Sequence, residues 1–386
     1  MSVWIDDIKK HLAVIDWFLV ITVFAAMAYG YVLIISATNA ISAEQGQILF
    51  MQPAAALMGL TAMFILSKSD YDHVLKYAKY LYILSVGVLI ITLIFGVGDE
   101  VGNKNWLRLP IPGLGSVGIQ PSELVKISFV LTFSKHLSAI KENIDRPKNI
   151  IFLCLHFGLI VGLVMIQGDL GSALVFIFVF TAMMFAAGVS FWYFFAGIFV
   201  LVASSPLLWN FMSDNQRGRI LAGFNPSIAP TKEGYQALMS QRAIGSGGLF
   251  GAGYQKGYMT QNGLVPKQWT DFIYSAAGEE FGFIGALLVL IILTLIVARI
   301  FHISRRARNT TGSLICVGVM AIFVSQTIEN IGMCLGTLPV IGITLPFFSY
   351  GGSSILSSLL GIGVVLSVNS RKNIFYFTRD ENLDKF

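Results

Sequence analysis

The amino-acid sequence predicts an all-α integral membrane protein with about ten transmembrane helices. Hydrophobic residues make up 55% of the 386 residues, charged residues make up 12%, and the mean hydropathy is +0.73. A soluble globular domain has about twice that charged fraction. Several apolar runs exceed the ~18 residues that a helix needs to cross a bilayer. Because backbone groups in lipid must be satisfied within the segment, helices are favoured over the short alternating strands of a barrel.

The apolar runs place the spans in order along the chain. No small-residue cleavage site follows the first run, so we expect a retained helix and not a removed signal peptide. We expect one polytopic domain over 1–386, with a large outer loop at about 212–270 and a short cytoplasmic tail at about 369–386. The ten predicted spans lie near 16–36, 48–67, 76–97, 119–137, 150–167, 170–188, 191–211, 271–299, 313–334 and 346–368.

Lysine and arginine residues determine the predicted orientation. Most of the 26 lie in the N-terminal segment, the tail and every second loop, whereas the loops at 37–47 and 336–345 contain none. The positive-inside rule therefore places both termini in the cytoplasm. The same bias explains the net charge of +5, so the composition does not require a nucleic-acid partner.

The outer loop at 212–270 has no sustained apolar run and is rich in glycine and aromatic residues. Its cations, on the face poorest in cations, predict an anionic substrate or lipid headgroups, with ordinary loop solvation as the alternative. The glycine run at 243–257 matches no nucleotide-binding motif and follows no predicted strand. The basic residues of the loop are Arg217, Arg219, Lys232, Arg242, Lys256 and Lys267.

Ionisable residues within or beside the spans are the strongest functional candidates, since charges there cost several kcal/mol at the bilayer centre. Under the predicted orientation, almost all fall in the outer halves of their helices, so we expect them to converge on one outward-facing cavity. No histidine is expected on the outer side, which leaves a carboxylate as the available base. These residues are Glu123, Lys126, Asp169, Asp271, Glu279, Glu280 and Glu329.

Helical spacing separates the acids of the eighth span. Asp271 is expected at the start of the helix, where Thr270 could supply a purely structural N-cap. Glu279 and Glu280 lie about 12–14 Å deeper on different helix faces, which favours a structural or electrostatic role over the chemistry. In the fourth span, Glu123 and Lys126 are three residues apart and can pair, so a structural ion pair is the alternative to a functional one.

The segment GTLPVIGITLPFFSYGGSS, at 336–354, combines two prolines with several glycines at the start of the tenth span. Interrupted helices at membrane depth are tolerated where they are buried or line a cavity. Its hydroxyl groups suit a sugar or a phosphate, with a hinge or close helix packing as the alternative. The hydroxyl residues are Ser349, Tyr350, Ser353 and Ser354.

Six motifs, specific in combination and order, carry a family resemblance. They are GIQPSELVKI, QGDLGSALV, QRGRILAGFNP, GYQALMSQRAIGSGGLFGAG, TDFIYSAAGEEFGFIG and NIGMCLGTLPVIGITLPFFSYGGSS. With them the chain resembles the SEDS family (shape, elongation, division and sporulation), represented by RodA and FtsW, over about 16–370.

The resemblance implies a bacterial peptidoglycan glycosyltransferase that polymerises lipid II, the undecaprenyl-pyrophosphate-linked disaccharide-pentapeptide, on the outer face of the cytoplasmic membrane. It also implies a class B penicillin-binding protein as partner, together with other elongation or division proteins. It assigns the key acid to Asp271. Further functional positions that the resemblance implies are Glu123, Lys126, Asp169, Arg217, Arg219, Ser349, Gly351, Gly352 and Ser353.

The chain also departs from the family pattern. Lys267 stands in VPKQWTDF where many members carry a glutamate, so a carboxylate at that position is not part of this chain's chemistry. The motif GITLP is closer to the division branch, whereas NIGM and LPVIG are closer to the elongation branch. We expect a RodA-like protein, with an FtsW-like division or sporulation polymerase as the alternative.

The chemistry of glycosyl transfer agrees with these residues. An acceptor hydroxyl must lose a proton to a base, and a leaving pyrophosphate needs positive charge. Asp271 is our candidate base, and Lys126, the loop arginines or a divalent cation such as Mg²⁺ or Mn²⁺ are alternatives for the positive charge. A lipid flippase or transporter and a non-catalytic scaffold for the partner synthase are the other function classes that the sequence leaves open.

Overall fold

A long helix occupies the position of every predicted span in the computed structural model. The structure describes residues 13–40, 42–98, 104–111, 115–211, 217–218, 221, 223 and 234–380. In these ranges the helices are α1 (Trp17–Ala37), α2 (Ser42–Lys68), α3 (Tyr71–Lys76), α4 (Ala78–Phe95), α5 (Pro121–Ala139), α6 (Pro147–Ile166), α7 (Leu170–Ala186), α8 (Phe191–Phe211), α9 (Tyr235–Ser246), α10 (Tyr258–Gln261), α11 (Ile273–Arg305), α12 (Thr310–Cys334) and α13 (Gly352–Asp380).

Seven of these helices are long and apolar enough to cross a membrane, namely α1, α2, α4, α6, α11, α12 and α13. The helix α7 and the apolar part of α8 are shorter. The helix α5 carries Glu123, Lys126 and Lys135 within 19 residues, which lowers its hydropathy. The large, exposed apolar side chains of α6, α8 and α11 would face lipid. The predicted class, an all-α multi-pass membrane protein, is confirmed.

A small antiparallel sheet between α4 and α5 was not predicted. It consists of β1 (Val97–Gly98), β2 (Lys104–Ile111) and β3 (Gly115–Ile119), with β2 in the middle. In β2 and β3, Leu107 lies opposite Ile119. The third predicted span ends earlier than expected as a result, because α4 stops at Phe95. The sheet leads the chain directly into α5, which carries two candidate site residues.

The start of the last helix also differs from the prediction. We expected the tenth span to begin near 346, but α13 begins at Gly352. Residues 335–351, which we name the return segment, contain Pro339 and Pro346 and form turns and extended backbone. A proline removes a backbone donor and disfavours a helical conformation in the residue before it. The helix α13 then continues to Asp380, through most of the expected tail.

Two ion pairs connect N-cap residues of α1 and α3 to arginines of later helices at one end of the bundle. Arg299 Nε lies 2.8 Å from Asp16 Oδ2, and Asp16 also caps α1 by accepting from Leu19 N. Arg371 Nε lies 3.5 Å from Asp70 Oδ2. The opposite end, which we name the loop end, contains the starts of α5, α7, α11 and α13, the end of α12 and the return segment. Arg299 and Arg371, which are predicted to face the cytoplasm, therefore lie at the end of the bundle opposite the loop end.

Gly282 divides α11 by a backbone conformation that only glycine adopts readily. Its φ of 67° and ψ of −162° interrupt the helix, and an added Cβ would lie 2.3 Å from Gly251 N. We expect Gly282→Ala to reduce the amount of folded protein severely, because both the backbone strain and the clash fall on main-chain atoms. Gly158→Ala in α6 is the matched control, since nothing lies within 4 Å of its added Cβ. The measurement is the yield of detergent-extracted, monodisperse protein, and equal yields of the two variants would contradict the expectation.

Candidate functional site

Asp271 lies in a turn at the loop end and not inside the helix that follows it. The helix α11 begins at Ile273, its N-cap is Phe272, and no side chain caps it. The Thr270 hydroxyl donates instead to Lys267 O at 3.2 Å, so the predicted Thr270 N-cap is wrong. The Asp271 side chain is half-buried.

The return segment and α12 hold this turn in place. Asn330 Nδ2 donates to Asp271 O at 2.8 Å and to Ile343 O at 2.7 Å, which connects the turn to the return segment through one buried amide. Ser349 Oγ donates to Thr270 O at 2.6 Å, and Tyr350 N donates to Trp269 O at 2.9 Å. Three hydrogen bonds to main-chain oxygens of residues 269–271 therefore fix the turn that carries Asp271.

Gly342 lies beside the Asp271 carboxylate. A Cβ added to Gly342 would be 3.5 Å from Asp271 Oδ2, and the φ of 71° at Gly342 belongs to the left-handed region that favours glycine. The glycine therefore satisfies a backbone requirement and adds no side chain of its own beside the carboxylate. An acceptor group could approach Asp271 from this side.

Ser349 supports the Asp271 turn. Its hydroxyl donates to Thr270 O and accepts from Leu345 N at 2.8 Å. We expect Ser349→Ala to lower the activity of the site about tenfold while leaving the protein folded, because the turn loses one of its fixed contacts. Ser205→Ala is the control, since that residue is exposed and the described hydrogen bond of its hydroxyl goes to a carbonyl of its own helix. Initial rates at matched protein concentration test this, and equal rates for both variants would show that Ser349 has no supporting role.

Glu123 and Lys126 form a buried ion pair within α5, as their spacing predicted. Lys126 Nζ lies 2.7 Å from Glu123 Oε1, and the two side chains are 0% and 7% exposed. Ser357 Oγ of α13 donates to Glu123 O at 2.6 Å, which fixes this turn of α5 to the last helix. A buried pair of this kind costs desolvation energy that its attraction offsets only when the geometry is good, so it is a functional candidate and not simply a stabilising contact.

Asp169 organises the start of α7. Its Oδ1 accepts from Ser172 N at 3.0 Å, which makes it the N-cap of that helix. Its Oδ2 accepts from Gln120 Nε2 at 2.9 Å and from Ser122 Oγ at 3.0 Å. Gln120 N also donates to Ser353 Oγ at 3.0 Å. Two of the predicted site residues, Asp169 and Ser353, therefore meet at the first residues of α5.

Gln52 of α2 holds the junction of the return segment and α13. Its amide donates to Ser349 O at 3.2 Å, and its Oε1 accepts from Gly351 N at 3.1 Å. Gly352 is the first residue of α13. The structure thus brings together four of the predicted site residues at this junction, namely Ser349, Gly351, Gly352 and Ser353.

Glu279 and Glu280 hold the short helix α10 against the bundle. Glu279 accepts from Met259 N, Thr260 N and Thr260 Oγ1 at 2.6–2.8 Å. Glu280 Oε1 accepts from Ser36 Oγ at 2.7 Å and from Gln261 Nε2 at 2.8 Å. Both carboxylates are 1% exposed. These contacts support the structural role expected from their depth and separate them from Asp271.

The loop cations are only partly described. Arg217 Nε and Nη2 donate to Trp209 O and Asn210 O at 2.9 and 3.2 Å, and its guanidinium lies 5.8 Å from the centroid of the Trp209 ring. Arg217 therefore lies at the end of α8. Arg219 lies outside the described residues. Among the described residues, no three His, Cys, Asp or Glu side chains form a group that could hold a metal ion.

Several residues that complete the site had not been singled out from the sequence. The amide of Asn330 connects Asp271 to the return segment, Gln52 connects the return segment to α2, and Gln120 and Ser122 bind Asp169. A buried amide in an apolar span is unusual for the same reason as a buried charge, so it also indicates a functional contact. Asn330, next to Glu329, could have been selected from the sequence on this ground. The partners of uncharged side chains come from distant helices, which spacing along one helix does not reveal.

The ionisable residues that we expected to converge on one cavity therefore form two groups at the loop end. One surrounds Asp271, and the other contains Glu123, Lys126 and Asp169 near the starts of α5 and α7. The helix α12 reaches both, because Asn330 bonds to the Asp271 turn and α12 packs against α5 and α7. The loop end therefore contains a half-buried carboxylate that can accept a proton and a buried cation that can stabilise a developing anion.

Comparison with known proteins places this arrangement in a family. Residues 16–374 match the FtsW/RodA/SpoVE family model, described as "Cell cycle protein". The chain is 32% identical over 376 residues to the "Probable peptidoglycan glycosyltransferase FtsW" of Trichlorobacter lovleyi, covering 93% of this chain and 94% of that protein. It is 33% identical over 320 residues to the "Peptidoglycan glycosyltransferase MrdB" of Escherichia coli, covering 82% and 84%.

A solved structure gives the same result for the fold. A chain from a study described as "Structural coordination of polymerization and crosslinking by a peptidoglycan synthase complex" superposes with a TM-score of 0.80 and 30% sequence identity, covering 93% of this chain and 98% of that one. The match of the family model to most of the chain, together with these similarities, shows that the chain belongs to the SEDS family of multi-pass membrane proteins, the family of FtsW, RodA and SpoVE.

Proposed function

We propose that the protein is a peptidoglycan glycosyltransferase that polymerises lipid II. The observation that carries this proposal is the Asp271 turn, in which a half-buried carboxylate is held at the loop end by main-chain contacts from α12 and the return segment. The names of its relatives support the reaction class, since the similar proteins of Trichlorobacter lovleyi and Escherichia coli are both named peptidoglycan glycosyltransferases.

The proposed reaction forms one glycosidic bond in each cycle. Asp271 accepts the proton of the acceptor hydroxyl, the hydroxyl oxygen attacks the anomeric carbon of the donor, and the bond to the pyrophosphate oxygen breaks. The leaving group is undecaprenyl pyrophosphate, which carries away the bonding electron pair. Its negative charge requires positive charge nearby, and Lys126, Arg217 and Arg219 are the cations that we propose for this role.

We place the reaction at the outer face of the bacterial cytoplasmic membrane. The loop end contains the candidate acids, whereas Arg299 and Arg371, which are predicted to face the cytoplasm, form their ion pairs at the opposite end. The positive-inside rule then puts Asp271 on the outer side.

We propose a class B penicillin-binding protein as the partner. The support is the similar chain from a peptidoglycan synthase complex in which polymerisation and crosslinking are coordinated. A cross-linking enzyme would use the glycan strand that this protein produces, so the two activities act on successive products.

We assign the protein to cell elongation because of its NIGM and LPVIG motifs. The alternative, division or sporulation, has equal support from the relatives, because identities to FtsW and MrdB proteins are 32% and 33%. Complementation decides between them. Expression of the chain in a strain depleted of its elongation polymerase restores rod shape under the proposal, and rescue of a strain depleted only of its division polymerase would favour the alternative.

The direct test is polymerisation of fluorescent lipid II by the purified protein together with its partner synthase. We expect glycan strands that a muramidase digests to disaccharide units. Translocation of lipid II across proteoliposomes by the same preparation, without formation of polymer, would instead favour a flippase. A scaffold function predicts that the partner's own activity rises in the presence of the chain while no new strands are formed.

A further inference from the structure

Glu329 of α12 is a buried carboxylate that the proposed reaction does not use. Its residue is 8% exposed, and its Oε2 has no hydrogen-bond partner among the described residues. Leaving a carboxyl oxygen unmatched in a protein interior is costly, so such an atom indicates a partner that the resting arrangement does not bring into contact. The helix α12 packs against α5, which carries Lys126, and against α7, which Asp169 caps.

Lys126 of α5 is the candidate partner for this carboxylate. Among the described residues it is the only buried lysine or arginine, at 1% exposed, and its helix packs against α12. Lys126 donates to Glu123 Oε1, whereas an ammonium group has three hydrogens to donate. Asp169 already accepts from Gln120, Ser122 and Ser172, so its charge is satisfied by neutral donors. Lys126 is therefore the one cation in this group that can match Glu329.

Depth along the helices is consistent with this pairing. Lys126 lies five residues after the start of α5 at Pro121, and Glu329 lies five residues before the end of α12 at Cys334. At about 1.5 Å per residue, both lie roughly 7–8 Å from the loop end. A change of rotamer in the long lysine side chain could bring Nζ to either carboxylate.

We propose that Lys126 is shared between two carboxylates, Glu123 and Glu329, and that Glu329 is a positioning residue for the polymerisation site. Glu329 keeps the lysine charge-balanced and in place when its contact with Glu123 opens to admit an anionic group of the substrate. The functional part of this inference rests on the proposed polymerase function, whereas the shared charge does not.

Gln326 offers the competing arrangement. It lies one turn away on the same helix, it is 1% exposed, and its Nε2 also lacks a partner among the described residues. If Glu329 is matched by Gln326, through a side-chain rotation or a bridging water, removal of the Gln326 amide and not of the Lys126 charge will change the contribution of Glu329. The two pairings therefore make opposite predictions for the same set of variants.

A double-mutant cycle on stability tests the shared charge without any assay of activity. Thermal unfolding midpoints in detergent are compared for the wild type, Glu329→Gln, Lys126→Met and the double variant, with Gln326→Leu replacing Lys126→Met in a matched second cycle. We expect Glu329→Gln to lower the midpoint in the wild type and to raise it in the Lys126→Met protein, where an unbalanced carboxylate is removed. Equal shifts in both backgrounds, or coupling only to Gln326, would overturn the inference.

Glu123→Gln provides a second cycle in case Lys126→Met does not fold. In that background Lys126 depends on Glu329, so adding Glu329→Gln should destabilise the protein more than it does in the wild type. Additive shifts in this cycle would also overturn the inference. Recovery of folded Lys126→Met protein only when Glu329→Gln is added would support it.

Polymerisation by the same variants tests the positioning role. We expect Glu123→Gln and Glu329→Gln each to lower the rate of polymerisation, and the folded double variant to lose about tenfold more than the product of the two single losses. The matched pair Glu123→Gln with Glu280→Gln should be multiplicative, because Glu280 bonds to Ser36 and Gln261. Multiplicative losses for the Glu123 and Glu329 pair would remove the positioning role. If the wild type makes no polymer while the stability cycle shows coupling, the proposed function fails and the shared charge remains.

Discussion

Asp271→Asn should reduce lipid II polymerisation by about 10²–10⁴-fold, the range that a general base contributes. An amide keeps the size of the carboxylate but does not accept a proton at neutral pH. The backbone contacts of the turn, from Asn330 to Asp271 O and from Ser349 to Thr270 O, involve no atom of the Asp271 side chain and should persist. The loss should therefore appear in the rate, with an unfolding midpoint close to that of the wild type.

Asp271→Ala and Glu142→Gln complete this test. The alanine variant should be as inactive as the asparagine variant, because both lack the proton acceptor. Glu142 is an exposed acid in the 3₁₀ turn Lys141–Asn143 after α5, and its neutralisation should leave the rate unchanged. Polymer formation by folded Asp271→Asn protein at the wild-type rate would remove Asp271 from the catalytic role and would favour the scaffold function.

Prediction from the sequence succeeded where the interacting residues lie on the same helix. The Glu123–Lys126 pair followed from spacing on α5, and the long apolar runs became helices at the expected places. It failed where the backbone leaves the helical pattern. The β2–β3 hairpin, the late start of α13 at Gly352 and the bend at Gly282 depend on turns and close backbone contacts that hydropathy does not measure.

The candidate site shows the same limit. Sequence reasoning selected Ser349 as a hydroxyl for substrate, but in the structure it donates to Thr270 O and supports the turn that carries Asp271. Asn330 and Gln52 had no assigned role, yet each joins two segments that are far apart in the chain. These contacts depend on tertiary packing. A single sequence indicates which residues are unusual in a membrane span, and the fold decides which of them meet.

The adjacent glutamates of α11 give the other large expected effect, because the same substitution should destabilise the protein strongly at Glu279 and only slightly at Glu280. Both oxygens of Glu279 accept from N–H groups, Oε1 from Met259 N and Oε2 from Thr260 N, and Oε2 also accepts from Thr260 Oγ1. A glutamine there must place its NH₂ group against one of these donors. We expect Glu279→Gln to destabilise the protein by about 2–4 kcal/mol, since a buried donor loses its acceptor and a second donor faces it.

Glu280→Gln should be tolerated much better. All the described contacts of its carboxylate are made by Oε1, while Oε2 has no partner among the described residues. The glutamine oxygen can therefore take the place of Oε1, and its NH₂ group the place of Oε2, without meeting a donor. Yield and unfolding midpoint of the two purified variants measure the difference. Equal losses of stability at both positions would mean that only the charge matters here. A stable Glu279→Gln protein without activity would mean that Glu279 takes part in the reaction and does not simply hold α10.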